Sequence, residues 1–409
     1  MAKDRIRVLM LAGHYVPNLG YQENGWVKAL TLFGVRTKVV APAYCIPTFR
    51  GLVGHTQCRP GTREINGYEL QYVPYYLNFR SMKWPRGIKA IIREFAPDVV
   101  VSVGVGQILP AAGVWHKKEF GYKLISLFGD NLMQRPRDYR TGKLTFKGNL
   151  IETAFRLFKK PLYAKTIEIS DTVGYNTEPA TKDVLSSCLG PSKQNLMNKM
   201  ISLPLGYEGD VFYHSPQLRA QKRCQLGLKE DERVFVYASR VQPTRHLETL
   251  VDSFRPIMLN DDSVKLMIVG FLGDSYETEL KEYIAKLGLE DRVICLELTN
   301  RNELNALYNA ADIGVWHLLP TITLVEATGT GLPIVIPNDP SFSPQTLPRE
   351  SVEIFELSNS DGLRDAISNI LDRLGTLPDR KTRAKLAEKR EYKQIVSTAM
   401  KSVGITLKI

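Results

Sequence analysis

Val234-Phe-Val-Tyr-Ala238, Lys265-Leu-Met-Ile-Val269 and Val293-Ile-Cys-Leu-Glu-Leu298 are three short apolar blocks. Each is followed by a stretch with helical spacing, over 246–254, 276–287 and 302–310. Apolar blocks without polar alternation predict strands covered on both faces. Strand–helix alternation then predicts a parallel sheet with helices on both sides. The series continues through a strand at 313–316, a helix at 324–329 and strands at 333–336 and 352–355.

The first half has the same rhythm. Blocks at 7–11, 38–41, 98–103, 123–127, 171–175 and 200–203 read as strands. Trp26, Ala29, Leu30 and Phe33 set a helix over 23–33, and the alternating stretch 69–72 reads as an edge strand. Pro204, Gly206, Gly209 and Pro216 mark 203–217 as a linker. The stretch 381–398 reads as one charged helix. The expected fold is α/β, with two doubly wound Rossmann-like domains facing across a cleft, at 1–205 and 206–380. A C-terminal helix within 381–409 is expected to pack back towards the first domain. Ligands of such sheets bind beyond the carboxyl ends of the strands.

The bulk numbers agree with two domains. The chain has 409 residues, against a prior of roughly 150 per domain. Hydrophobic content is 44% and charged content 24%, which suits a globular protein. The net charge of +11 favours anionic partners: nucleotides, nucleic acid or an acidic membrane surface. No recognised nucleic-acid motif accompanies the charge, so nucleic acid is not expected. No run of eighteen apolar residues is present, so no spanning helix is expected. The apolar run from Val8 to Ala12 is too short for a signal-peptide core, which predicts a cytoplasmic protein. Cys45, Cys58, Cys188, Cys224 and Cys295 are odd in number and scattered, which predicts reduced thiols. The six histidines show no zinc-ligand spacing, so no metal site is expected.

Four stretches, at 203–212, 238–246, 265–312 and 320–335, taken in that order resemble the retaining GT-B glycosyltransferases of the large family 4 group (glycosyl transferases group 1). Leu203-Pro-Leu-Gly-Tyr-Glu-Gly-Asp-Val-Phe212 is similar to the family's linker. Ala238-Ser-Arg-Val-Gln-Pro-Thr-Arg-His246 resembles its basic turn, with Arg240 and Arg245 at the spacing of the family's Arg and Lys. The strands at 265–270 and 291–296 lead into Glu303-Leu-Asn-Ala-Leu-Tyr-Asn-Ala-Ala-Asp312, in the family's order. Pro320-Thr-Ile-Thr-Leu-Val-Glu-Ala-Thr-Gly-Thr-Gly-Leu-Pro-Ile-Val335 resembles the donor loop and its helix. Three positions depart from the pattern. Leu318 stands where the family has the first of two glutamates, Thr321 where a glycine is usual, and Gly129-Asp130 where the first domain often has a histidine.

The resemblance implies transfer of a sugar from a nucleotide-diphosphate donor of the UDP or GDP type to a hydroxyl acceptor, with no separate cofactor and no metal. It makes 1–205 the acceptor domain and 206–380 the donor domain. Arg240 and Arg245 would then stabilise the diphosphate leaving group, a task suited to a permanently charged guanidinium. Surface exposure on a strand–helix turn is the plain alternative for both. Thr321, Ile322 and Thr323 would offer amides to the diphosphate at a helix start, and Glu326 would accept from the ribose. Alternatively, Thr323 and Glu326 form only a capping box. Gly270 and the strand beginning at Val293 would contact the base. Gly20, in the first strand–helix loop, would let backbone approach the donor, with Gln22 and Glu23 towards the acceptor; an ordinary turn is the other reading. That loop has no G-x-G-x-x-G, which argues against a nicotinamide enzyme. Asp130 would act as base only in an inverting enzyme; otherwise it is a solvated loop residue.

The segment 135–165 is basic through Arg135, Arg137, Arg140, Lys143, Lys147, Arg156, Lys159, Lys160 and Lys165, with an apolar face. It suits either peripheral contact with an anionic membrane, as a glycan or lipid-linked acceptor would favour, or a core-packed helix. Two rival functions stay open: a nucleotide-sugar epimerase or hydrolase, and a non-catalytic binding scaffold, which Leu318 favours.

Overall fold

The computed structural model describes residues 5–44, 58–79, 82–128, 153, 155–176, 180–318, 321–339, 347, 349–357 and 361–408. Asp130 and the basic residues from Arg135 to Lys147 lie outside the described residues, as does Cys45. The chain divides into two compact units, Met1–Pro204 with Lys393–Ile409, and Leu205–Tyr392.

In the first unit the strands are β1 (Arg7–Ala12), β2 (Arg36–Pro42), β3 (Gly61–Ile65), β4 (Tyr68–Val73), the hairpin β5 (Tyr75–Phe79) and β6 (Met82–Pro85), then β7 (Val99–Val103), β8 (Lys123–Phe128), β9 (Thr172–Tyr175) and β10 (Met200–Ser202). Helices include α1 (Gln22–Leu32), α2 (Ile88–Phe95), α3 (Ile108–Trp115), α4 (Lys117–Phe120), α5 (Lys160–Ile169) and α6 (Ala180–Cys188). The main sheet runs β10-β9-β8-β7-β1-β2-β4-β3. Its strands are parallel except β3, which is antiparallel to β4. The stretch 69–72 is therefore not an edge. Its alternation reflects one face that is only partly covered, and the exposed, charged β3 takes the edge beside it.

The second unit carries β11 (Arg233–Ala238), β12 (Val264–Phe271), β13 (Val293–Glu297), β14 (Ile313–Val315), β15 (Ile334–Pro337) and β16 (Val352–Phe355). Its helices include α7 (Pro216–Gln225), α8 (Leu247–Asn260), α9 (Ser275–Lys286), α10 (Arg301–Ala310), α11 (Ile322–Gly329), α12 (Gly362–Arg373) and α13 (Arg380–Ala387). The sheet is fully parallel and runs β13-β12-β11-β14-β15-β16. This is the doubly wound order, with its reversal between β11 and β14.

Some expected helix boundaries moved. Helix α8 continues past Phe254 through Pro256. Leu247, Leu250, Val251, Phe254 and Met258 form an unbroken buried stripe, and that burial outweighs the amide hydrogen bond lost at the proline. The charged tail is two helices rather than one: α13 and α14 (Tyr392–Ser402), separated by a short turn. At the break the Tyr207 amide donates to the Arg390 carbonyl at 3.0 Å, and the Tyr392 amide to the Tyr207 carbonyl at 2.9 Å. Extended pairing at that point excludes helical backbone.

Gly270 holds one close approach in β12. Its φ is +129°, and a Cβ there would lie 1.9 Å from the Ser239 carbonyl oxygen. Gly288 also has positive φ, +67°, but nothing lies within 4 Å of its Cβ position. Gly270→Ala is expected to cost about 2–4 kcal/mol of stability, from strain plus overpacking, and Gly288→Ala about 1–2. Urea unfolding of both variants decides it, and equal losses would defeat the close-packing account.

Candidate functional site

The reversal of strand order brings together the loops that leave β11 and β14. Ala238 ends β11, and its carbonyl oxygen accepts from Thr323 Oγ1 at 2.6 Å and from Trp316 Nε1 at 3.2 Å. Trp316 Nε1 also lies 3.2 Å from Thr323 Oγ1, whose other contact is Thr321 Oγ1 at 2.5 Å. The end of β11, the exit from β14 and the start of α11 are thus tied at one point.

Arg240 and Arg245 lie on the loop after β11, both half-buried. Arg245 closes the short turn Pro243–Arg245, and His246 follows in the left-handed region with φ 46°. His317, just after β14, is 2% exposed, with Nε2 at 2.9 Å from the Arg245 carbonyl and 3.1 Å from that of His246. Burial pushes the His317 pKa down to about 4, so the ring is neutral near pH 7. Arg245 Nε and His317 Nδ1 are buried without a hydrogen-bond partner.

Helix α11 begins two residues earlier than its apolar pattern indicated, with Thr321 as N-cap. Ile322 and Thr323 therefore supply first-turn amides, which have no intrahelical acceptor. The capping-box alternative does not hold: Thr323 sits inside the helix, and its hydroxyl serves Ala238. Glu326 instead meets Arg301, the first residue of α10, with Nη2 at 3.0 Å. Nη1 of the same guanidinium binds Glu208 of the linker, and the Phe212 ring lies 5.1 Å from its centre. Burial pushes the Glu326 carboxyl up to about 7 against the opposing pull of Arg301.

Other expected residues fall elsewhere. Gly270 packs on the backbone of Ser239, and its carbonyl accepts from the Val241 amide at 3.0 Å. Val293 is the first residue of β13, paired in register with Leu266. In a parallel sheet that is the amino edge, opposite the loops just described, so the structure does not bring Val293 to them. In the first unit, Gly20 has φ 74° and precedes α1. The Gln22 and Asn176 amides exchange hydrogen bonds at 3.1 and 3.2 Å, and Glu23 lies 3.4 Å from His14. The sequence reading missed Trp316, His317 and Arg301. A lone histidine and a helix-start arginine carry no distinguishing local signal, and their partners are remote in the chain.

A model of the family described as glycosyl transferases group 1 matches residues 219–391. A D-inositol 3-phosphate glycosyltransferase of Mycobacteroides abscessus is 27% identical over 179 residues, 42% of this chain and 38% of that protein. An alpha-monoglucosyldiacylglycerol synthase of Streptococcus pneumoniae is 24% identical over 145 residues, 34% of this chain and 32% of that protein. The chain thus spans between 32% and 38% of the length of these curated relatives. Among solved structures, Anabaena HepE in complex with UDP superposes with a TM-score of 0.66 at 14% identity, over 98% of this chain and 99% of that one. That likeness shows a shared fold.

The Glu208–Arg301–Glu326 cluster makes a stability prediction. Arg301→Leu leaves two buried carboxyl groups without their cation, at an expected cost of about 3–5 kcal/mol near pH 8. Glu326 has a raised folded-state pKa, so ionising it opposes folding fully above about 7 and not at all below its unfolded value. The loss should shrink towards pH 5 and be largely recovered by adding Glu326→Leu. Urea unfolding at both pH values checks this; a pH-independent loss contradicts it.

Proposed function

Because residues 219–391 match the model of the glycosyl transferases group 1 family, we propose that the chain transfers a sugar from a nucleotide-diphosphate donor to a hydroxyl acceptor. The observation that carries this reading is the convergence of the Arg240–Arg245 loop and the α11 start on one carboxyl edge of the sheet, at the strand-order reversal. Negative charge grows on the diphosphate as the sugar's bond to it breaks. Two guanidinium groups and the amides of Ile322 and Thr323 stabilise that charge without rearranging. The UDP bound to the Anabaena relative supports a donor of the UDP type. Glu326, held by Arg301 through one oxygen, offers its other oxygen to ribose hydroxyls. Retention is the outcome that the family resemblance implies.

The acceptor we propose is lipid-linked or a cell-envelope glycan, reached at the inner face of a membrane. Leu157 and Phe158 are 65% and 68% exposed, between Arg156, Lys159 and Lys160. Apolar side chains flanked by cations suit an anionic lipid surface. The pneumococcal relative, by its name, makes a glycolipid. No helix among the described residues is long and apolar enough to cross a membrane. Leu318, in place of the family's glutamate, favours a second reading: a protein that binds a nucleotide sugar without turning it over.

Calorimetric titration of UDP, GDP, ADP, CMP and dTDP into wild type, Arg240→Ala and Arg245→Ala tests the donor site. One nucleotide diphosphate should bind, and each variant should weaken it by about 1.5–3 kcal/mol, the worth of a charge-assisted hydrogen bond. Absence of binding by any nucleotide, together with no turnover of any nucleotide sugar, sinks the proposal. Binding without turnover would favour the second reading.

A further inference from the structure

His317 has no task in the donor site as described, yet it is among the most constrained polar side chains there. Trp316 continues the β14 ladder, its amide donating to the Val335 carbonyl at 2.9 Å. His317 follows, 2% exposed, with its ring centre 5.6 Å from that of Tyr237. Its Nε2 faces two carbonyl oxygens, at 2.9 and 3.1 Å. Carbonyl oxygens only accept, so Nε2 carries the proton and donates to both. Nδ1 is then a bare acceptor, buried and unpartnered.

The two carbonyls belong to the turn that carries Arg245. That turn is held locally by Arg245 N to Gln242 O at 2.9 Å and His246 N to Pro243 O at 3.1 Å. His246 adopts φ 46°, which costs a non-glycine residue strain and needs outside support. His317 is that support, reaching across from the neighbouring strand. The Arg245 Nε–H that the turn presents is itself buried without a protein acceptor. A phosphate oxygen is the acceptor chemistry that a guanidinium in this setting recognises.

We infer that His317 is a positioning residue: by bridging the carbonyls of Arg245 and His246 it fixes the turn that aims Arg245 at the diphosphate. This rests on the donor site proposed above. Because the ring is neutral near pH 7, the bridging donor is the same throughout the physiological range.

The test titrates UDP and GDP, with uridine and guanosine as phosphate-free controls. The proteins are wild type, His317→Phe, His317→Gln, Arg245→Ala and the His317→Phe/Arg245→Ala double variant. His317→Phe should weaken the preferred diphosphate about tenfold, the scale of losing hydrogen bonds to buried carbonyls, and leave its nucleoside unchanged. His317→Gln, whose amide N–H reaches close to the Nε2 position, should restore most of the affinity. The double variant should be no weaker than Arg245→Ala alone. A merely structural role would lower nucleoside and diphosphate together and add to Arg245→Ala, and that result overturns the inference. If Arg245→Ala weakens binding and His317→Phe does not, the positioning role falls while the donor site stands. If wild type binds no nucleotide diphosphate, both fall. Should thermal melting show His317→Phe unfolded, His317→Gln against the shorter His317→Asn makes the same comparison, with affinity expected only in the former.

Discussion

The carbonyl oxygen of Ala238 accepts two hydrogen bonds, from Thr323 Oγ1 and Trp316 Nε1, at the point where the strand order of the second sheet reverses. A strand-end carbonyl has no ladder partner, and one buried under two loops must find donors elsewhere. Here the donors come from the exit of β14 and the first turn of α11. That settles where the α11 amides lie relative to the β11 loop, and so where Arg240 and Arg245 stand. The Tyr308 hydroxyl adds a further tie, donating to the Thr323 carbonyl at 3.0 Å. Gly270 belongs to the same constraint. Its missing Cβ lets β12 pass against Ser239, so the chain can leave β11 at that angle.

The sequence disclosed the sheets because burial on both faces leaves apolar blocks that read plainly as strands. The reading faltered where that condition weakens. The strand β4 is only partly covered on one face, alternates, and resembles an edge. Helix α8 crosses Pro256 because a buried stripe outweighs one lost hydrogen bond, and a local rule cannot weigh the two. The tail breaks after Ala387 because of pairing with Tyr207, far away in the chain. Around the candidate site, the resemblance to the family pattern picked out Arg240, Arg245 and Thr321–Thr323, although the helix was expected to start at Leu324 rather than Ile322. Val293 was misplaced because its strand was recognised but not which end of it meets the loops. His317 and Arg301 were invisible, since their meaning resides in carbonyls and carboxylates contributed by other elements.

Arg380, Arg219 and Arg301 are partly buried, and their surroundings divide them into two kinds. Arg380 donates to the carbonyls of Tyr308 at 2.5 Å, Asn309 at 3.1 Å, Ala311 at 2.8 Å and Thr330 at 2.9 Å. Arg219 donates to Asn309, Ala310 and Ala311 and pairs with Asp312. Both close the carboxyl end of α10, where unpaired carbonyls and the helix dipole favour a cation. Their burial has a sufficient structural reason.

Arg301 has none of that kind. It sits at the amino end of α10, where the dipole disfavours a cation, and it holds two carboxyl groups that must themselves be taken out of water. Apolar residues of similar volume commonly replace such buried ion clusters at no loss of stability. Folding alone therefore gives weak grounds for keeping Glu208, Arg301 and Glu326 together. A carboxylate that must present one oxygen in a fixed direction gives stronger grounds, because one guanidinium nitrogen holds its other oxygen while a second nitrogen is anchored on Glu208. Glu326 projects from the helix whose first-turn amides form part of the proposed phosphate site. Its orientation and that of the proposed phosphate site are then set by one rigid element, as precise placement of a ribose beside its diphosphate would require.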